Sequence, residues 1–228
     1  MIFEDESVYP DLRVSRTLEQ CGVLGPGQRA VVWVQGCPLR CPGCLAQETL
    51  AFSGGEVRSV PELADWLVGL ASVQGVTFSG GEPFSQARGL ADLLDSVRAR
   101  RPDFSAMAYS GFRLEALRRG TEGQRSLLER LDLLVDGSYQ AARQGNIRWR
   151  GSANQRLLAL TERYAEWTRL PDIGAGIEAS LDRDGTLTWS GVPPTAGFRE
   201  QIETSLAESG YVVGTVSGEP SVDEQGEQ

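Results

Sequence analysis

The chain has no histidine, and all 22 of its basic residues are arginine, so it has no lysine either. These two absences rule out a Ser-His-Asp or Cys-His nucleophile, a histidine-ligated zinc, a P-loop lysine and a lysine Schiff base. Any chemistry must come from carboxylates, thiolates or a cofactor. We read the missing lysine as genomic base composition. Cysteine is also scarce: four in 228 residues make no disulfide framework, and clustered thiols in a reducing compartment more often bind metal. No apolar run approaches the ~20 residues that cross a bilayer. The opening MIFEDESVYP is acidic where a secretory leader would be basic. A cytoplasmic protein without membrane contact is expected. Acidic residues outnumber basic ones 31 to 22, a net charge of -9, which argues against a nucleic-acid partner.

What is present suits one medium globular domain. Hydrophobic residues make up 40% and charged residues 23%, enough to bury a real core. Strand and helix signals alternate along it. Ala30 to Val34 (AVVWV) reads as a buried strand. Ser59-Val60-Pro61-Glu62 is a capping box, and Leu63, Trp66, Leu67 and Leu70 follow at helical spacing. Gly75 to Phe78 is a second strand, ending in Ser79-Gly80-Gly81-Glu82-Pro83. Next come a helix with Ala87, Leu90, Leu93, Leu94 and Val97 on one face, and a strand from Phe104 to Tyr109. A helix around Ser126 to Arg130 precedes a strand from Leu131 to Val135. A polar, arginine-rich loop from Gln140 to Arg156 leads to a short element at Leu157 to Leu160. This βα repetition implies a parallel sheet with outer helices, whose functional loops lie at the carboxyl ends of the strands. The cysteines, Gly80-Gly81-Glu82, Ser110-Gly111 and Asp136-Gly137 all fall at such ends. Runs on either side of Asp184-Gly185 read as a hairpin, Ala196 to Ser209 as an amphipathic helix stopped by Gly210, and Ser217 to Gln228 as an acidic, disordered tail.

Three cysteines stand in eight residues, Cys37-Pro38-Leu39-Arg40-Cys41-Pro42-Gly43-Cys44. Three readings compete. Zinc would need Cys21 as a fourth ligand from sixteen residues away, without the paired knuckles usual for such sites. A redox pair lacks its thioredoxin context. A cubane iron–sulfur cluster on three thiolates leaves one iron open to something else, whereas electron-transfer clusters use four. Gly36 and Gly43 would let backbone approach the cluster.

A C-x3-C-x2-C after one strand and a Gly-Gly-Glu-Pro after the next resemble the radical SAM superfamily. The order WVQGC, GGEPF, YSGF, LLVDG and RGSANQR, over about Gly25 to Gln155, resembles the activating proteins of anaerobic ribonucleotide reductase and other glycyl-radical enzymes. The later IEASLDRDGTLTWSGVP resembles their terminal hairpin. Two departures are visible: Leu45-Ala46 follows the third cysteine where the family usually has Asn-Pro, and the Cys37–Cys41 loop lacks the family's frequent histidine or lysine.

The resemblance implies an α/β fold, a partial (β/α)6 TIM-like barrel with a C-terminal hairpin and helix. Its expected divisions are an N-terminal segment 1–24, a core 25–170, an elaboration 171–216 and a tail 217–228. It implies a 4Fe-4S cluster on Cys37, Cys41 and Cys44, with S-adenosylmethionine held by Gly80, Gly81 and Glu82 at its amino group, Ser110 near its carboxylate, and Asp136. The implied activity is reductive cleavage to a 5′-deoxyadenosyl radical, which takes hydrogen from a glycyl-radical enzyme. A flavodoxin or ferredoxin is the implied electron donor. The alternatives are a stand-alone radical enzyme acting on a peptide or small metabolite, and a zinc-binding module without catalysis. Such chemistry needs no tuned general base, so the missing histidine is no obstacle.

Overall fold

The structure is a computed structural model that describes residues 11–174, 176–181, 187–195 and 197–211. The acidic opening, the turn at Asp184-Gly185 and the tail from 217 lie outside the described residues. In chain order the elements are β1 (Leu12–Cys21), β2 (Arg29–Val34), β3 (Glu56–Arg58), α1 (Val60–Gly69), β4 (Gly75–Gly80) and α2 (Ala87–Arg98). They continue with β5 (Ser105–Ser110), α3 (Leu114–Arg118), α4 (Glu122–Leu128), β6 (Leu133–Asp136), β7 (Gln144–Ile147), β8 (Arg150–Ser152) and β9 (Arg156–Ala159). Last come β10 (Ile177–Leu181), β11 (Leu187–Gly191) and α5 (Phe198–Glu208). The chain divides at Gly197: everything through β11 belongs to one compact unit and α5 to a second. No helix among the described residues is long and apolar enough to cross a membrane.

Seven strands form one sheet in the order β3-β1-β2-β4-β5-β6-β9. The pairings β2–β4, β4–β5 and β5–β6 are parallel. Because both faces of such strands are covered, their sequences are continuously apolar rather than alternating; all six residues of β2 are buried. One face packs on α1, α2 and α4 through Val32, Val34, Val76, Phe78, Ala106 and Leu134. α1 begins where Ser59 accepts from the Glu62 N–H, and it buries Val60, Leu63, Ala64 and Leu67. The other face carries Val31, Trp33, Met107, Tyr109, Leu133 and Val135, covered partly by Trp149, Trp167 and Val192.

The sheet is open, with β3 and β9 at its edges, and it holds four parallel strands rather than six βα units. The reason lies after β6. The chain turns back at the same end of the sheet through the β7–β8 hairpin, with no crossover helix, so β9 must pair with β6 antiparallel. The stretch expected as a polar loop from Gln140 therefore contains two strands. β1 also went unread. Its apolar alternation breaks at a bulge between Val14 and Arg16, which hides a ten-residue strand from a period-two search.

At the amino end of the parallel strands Arg29 is fully buried. It donates to Thr77 Oγ1 (2.9 Å), Ser105 Oγ (2.9 Å), the Val76 carbonyl (2.7 Å) and the Pro26 carbonyl (3.3 Å). Neutral oxygens satisfy this charge, and burial lowers its pKa.

Candidate active site

The site is built where β2, β4, β5 and β6 end. β2 runs into Gln35-Gly36-Cys37, and the Gln35 side chain reaches across the loop to donate to the Ala51 carbonyl at 2.7 Å, with longer bonds to the Glu48 and Ser53 carbonyls. Gly36 and Cys37 donate to the carbonyls of Thr49 and Leu50. Outgoing and returning halves of the cysteine loop are thus tied together by groups other than the thiols. Inside the loop the Cys44 N–H bonds the Cys41 carbonyl at 3.1 Å, while Arg40 and Gly43 take positive φ of 46° and 69°. Cys37 is buried, and Cys41 and Cys44 are partly exposed. Burial raises the Cys44 pKa, and Cys41 and Cys37 are near enough to raise it further.

β4 delivers Gly80-Gly81-Glu82 directly against this loop. The Gly81 N–H donates to the Val34 carbonyl at 2.8 Å and the Glu82 N–H to the Gly36 carbonyl at 2.9 Å. A Cβ on Gly81 would stand 2.3 Å from the Gly36 carbonyl oxygen, so only glycine permits the contact. The two motifs are neighbours in space as well as in order.

The Glu82 side chain is 1% exposed. Its Oε1 accepts from the Phe84 N–H (3.0 Å) and Ser110 Oγ (2.9 Å), and its Oε2 from the Gly111 N–H (2.8 Å). Burial pushes its pKa up to about 7 against the pull of these three donors. Ser110 in turn accepts from the Phe112 N–H. Glu82 and Ser110 therefore brace the end of β4 to the end of β5, and Leu39 of the cysteine loop lies over Gly111.

Asp136 is also buried. It accepts from the Leu114 N–H (2.7 Å), Arg113 (3.3 Å) and both Arg156 Nε (2.8 Å) and Nη2 (2.5 Å). Burial disfavours its charge, but the Arg156, Leu114 and Arg113 donors outweigh it and lower its pKa. Asp136 is saturated by the start of α3 and a clamp from β9. The arginine-rich stretch is likewise engaged rather than solvated. Gln155 accepts from the N–H groups of Gly151 and Ser152 and donates to the Gly137 carbonyl, and Asn154 donates to the Ser138 carbonyl. Arg150 pairs with Asp172, and Trp149, at φ 53°, tucks into the sheet beside Met107 and Val135.

Cys21 stands apart, buried with Leu24, Val31 and Trp33. Burial, with Glu178 beside it, pushes its pKa up to about 11. Sequence reasoning did not single out Gln35, Gln86 or Arg113. Gln86 bonds both main-chain groups of Arg13 and the Gln35 carbonyl. The one available signal was polarity at strand ends flanking a glycine-rich motif.

The donor chemistry fits an iron–sulfur cluster. Three unpaired thiols share a loop with glycines at its closest approaches, and the fourth thiol points into a separate apolar cluster. Among the described residues no three of Cys, Asp and Glu converge on one point as a single ion requires.

A three-cysteine loop at the carboxyl end of a parallel sheet, abutted by a glycine-rich turn, is the arrangement that the resemblance to radical iron–sulfur proteins implies. Residues 23–158 match the family described as "4Fe-4S single cluster domain". The chain belongs to that family, and within it to the anaerobic ribonucleoside-triphosphate reductase-activating proteins. It is 34% identical to the one from Enterobacteria phage T4 over 145 residues, 61% of this chain and 89% of that protein. It is 33% identical to the one from Vibrio cholerae over 141 residues, 58% of this chain and 88% of that protein. A pyruvate formate-lyase-activating enzyme from Clostridium pasteurianum shares 40% identity over 84 residues, 34% of this chain and 35% of that protein.

Proposed function

We propose that the protein is a radical SAM activase that installs a glycyl radical on a partner enzyme. The observation that carries this is the backbone weld between the two motifs, Gly81 to Val34 and Glu82 to Gly36, in a chain whose relatives are named as activating proteins of this kind. Cys37, Cys41 and Cys44 would hold a 4Fe-4S cluster. When bound, the cluster and S-adenosylmethionine together supply a 5′-deoxyadenosyl radical able to take a hydrogen atom from a glycine Cα. Gly80 and Gly81 would offer backbone carbonyls to the cofactor's ammonium. Glu82, its oxygens occupied by three protein donors, would act on that group by charge and by fixing the turn. Ser110 and Asp136 would serve by holding the ends of β5 and β6 in place. The second face of the sheet, walled by Trp33, Tyr109 and Trp149, would exclude water. We read the four parallel strands as the first units of a partial barrel, the stretch 25–170 as its catalytic core, the hairpin and helix of 171–216 as an elaboration and 217–228 as a tail. A flavodoxin- or ferredoxin-type donor would supply the electron.

Anaerobic reconstitution tests this. About four irons and four sulfides per chain, with a brown chromophore, are expected, and reduction in the presence of S-adenosylmethionine should release 5′-deoxyadenosine. A colourless zinc protein that releases none would refute it.

A further inference from the structure

At the edge of the site, Arg16 has an aromatic partner but no ion-pair partner among the described residues. In β1, Val14 pairs with Val34 but Arg16 pairs with Trp33, so Ser15 is an extra residue. Without it, Arg16 would follow Leu12 and Val14 toward the helix-packed core. The bulge turns it to the opposite face, where the guanidinium stands 3.9 Å from the Trp33 ring centroid. Trp33 in turn is in register with Ser79 of β4, the residue before Gly80-Gly81. Arg16 thus lies in the row of side chains immediately beneath both motif loops.

Among the described residues the Arg16 guanidinium makes no hydrogen bond and no ion pair. This sets it apart from Arg29, Arg113, Arg150 and Arg156, each spoken for. Its side chain reaches solvent at one edge; burial against the sheet lowers its pKa, and Glu48, on the turn after Cys44, lies near enough to offset part of that without bonding it. A guanidinium seated on an indole and open to solvent presents a fork of N–H donors to a planar anion. β1 and β4 flank β2 on opposite sides, so Arg16 is separated from the turn assigned above to the cofactor by the width of β2.

We infer that Arg16 determines substrate specificity by receiving a carboxylate, an aspartate or glutamate carried by the glycine-bearing segment of the partner. This rests on the activase reading above. The test uses the anaerobically reconstituted full chain with S-adenosylmethionine present and no reductant. Its probes are two capped peptides, one with aspartate beside a glycine and its asparagine twin, measured by calorimetry. The wild type should bind the aspartate peptide about tenfold more tightly. Arg16→Gln should erase that preference and Arg16→Lys should keep part of it, both with unchanged circular dichroism. Equal affinity for the twins, no binding of either at millimolar concentration, or a preference that survives Arg16→Gln overturns the inference. So does a tenfold loss of S-adenosylmethionine affinity in Arg16→Gln, which would assign the carboxylate to the cofactor. Failure of the activase reading is separate, since it appears as no 5′-deoxyadenosine from the reduced wild type.

Discussion

A single residue should govern much of how the apoprotein's stability responds to pH. Glu82 has its folded pKa raised from 4.5 to about 7. The native state therefore holds this proton more tightly than the unfolded chain. Its contribution is fully present below pH 4.5 and is lost as pH rises through 7. At about 1.4 kcal/mol per unit, the unfolding free energy should fall by roughly 3 kcal/mol across that interval. No histidine is present to mask it. Urea titrations of the apoprotein at pH 5 and 8 would measure the drop, and Glu82→Gln should flatten it; a flat wild-type profile would count against the buried carboxylate. Arg29 offers a second measurement. Truncation to Ala removes a buried donor from the carbonyls of Pro26 and Val76 and from two hydroxyls that keep other partners, at a cost of about 3 kcal/mol. An unfolding free energy from urea titration that falls by less than this would show that water replaces the guanidinium. Neither residue's partners were legible in the sequence, because both depend on groups brought in from distant strands.

At the level of elements, the weld between β4 and the cysteine loop invites a contrast. Gly81→Ala puts a methyl group 2.3 Å from the Gly36 carbonyl oxygen, and backbone cannot yield as a flexible side chain does. We expect a loss of about 2–4 kcal/mol together with a reconstituted iron content well below wild type. Thr121 caps α4 with a reciprocal Gln124 bond. Thr121→Ala should cost about 1 kcal/mol and leave iron content unchanged. Iron assays and thermal melts of the two variants separate local stability from site integrity. The parallel strands and α1, α2 and α5 were readable because burial on one or both faces writes itself into periodicity, and because Ser59 and Gly210 mark ends. β1 and β7–β8 were not. In β1 a bulge shifts the phase midway, and in β7–β8 the polar residues that suggest a loop are consumed by pairing among Arg150, Asp172, Gln155 and the main chain.

Across the whole molecule, the three loop cysteines and Cys21 should behave oppositely. Alanine at Cys37, Cys41 or Cys44 should each abolish release of 5′-deoxyadenosine and most of the iron. Cys21→Ala, a change inside an apolar cluster, should keep both at the cost of about 1–2 kcal/mol in stability. Iron analysis and product chromatography decide it. The cysteine spacing made this site legible, since three thiols in eight residues point to a shared metal group; the braces around them were invisible, being glutamine, serine and glutamate contacts between loops. Those braces have a practical consequence. Gln35 and the Gly36, Cys37, Gly81 and Glu82 amides hold the loop's outline with bonds that involve no sulfur. A cluster stripped by oxygen would leave behind a socket of the right shape, and the same polypeptide could be recharged when anoxia returns instead of being made anew.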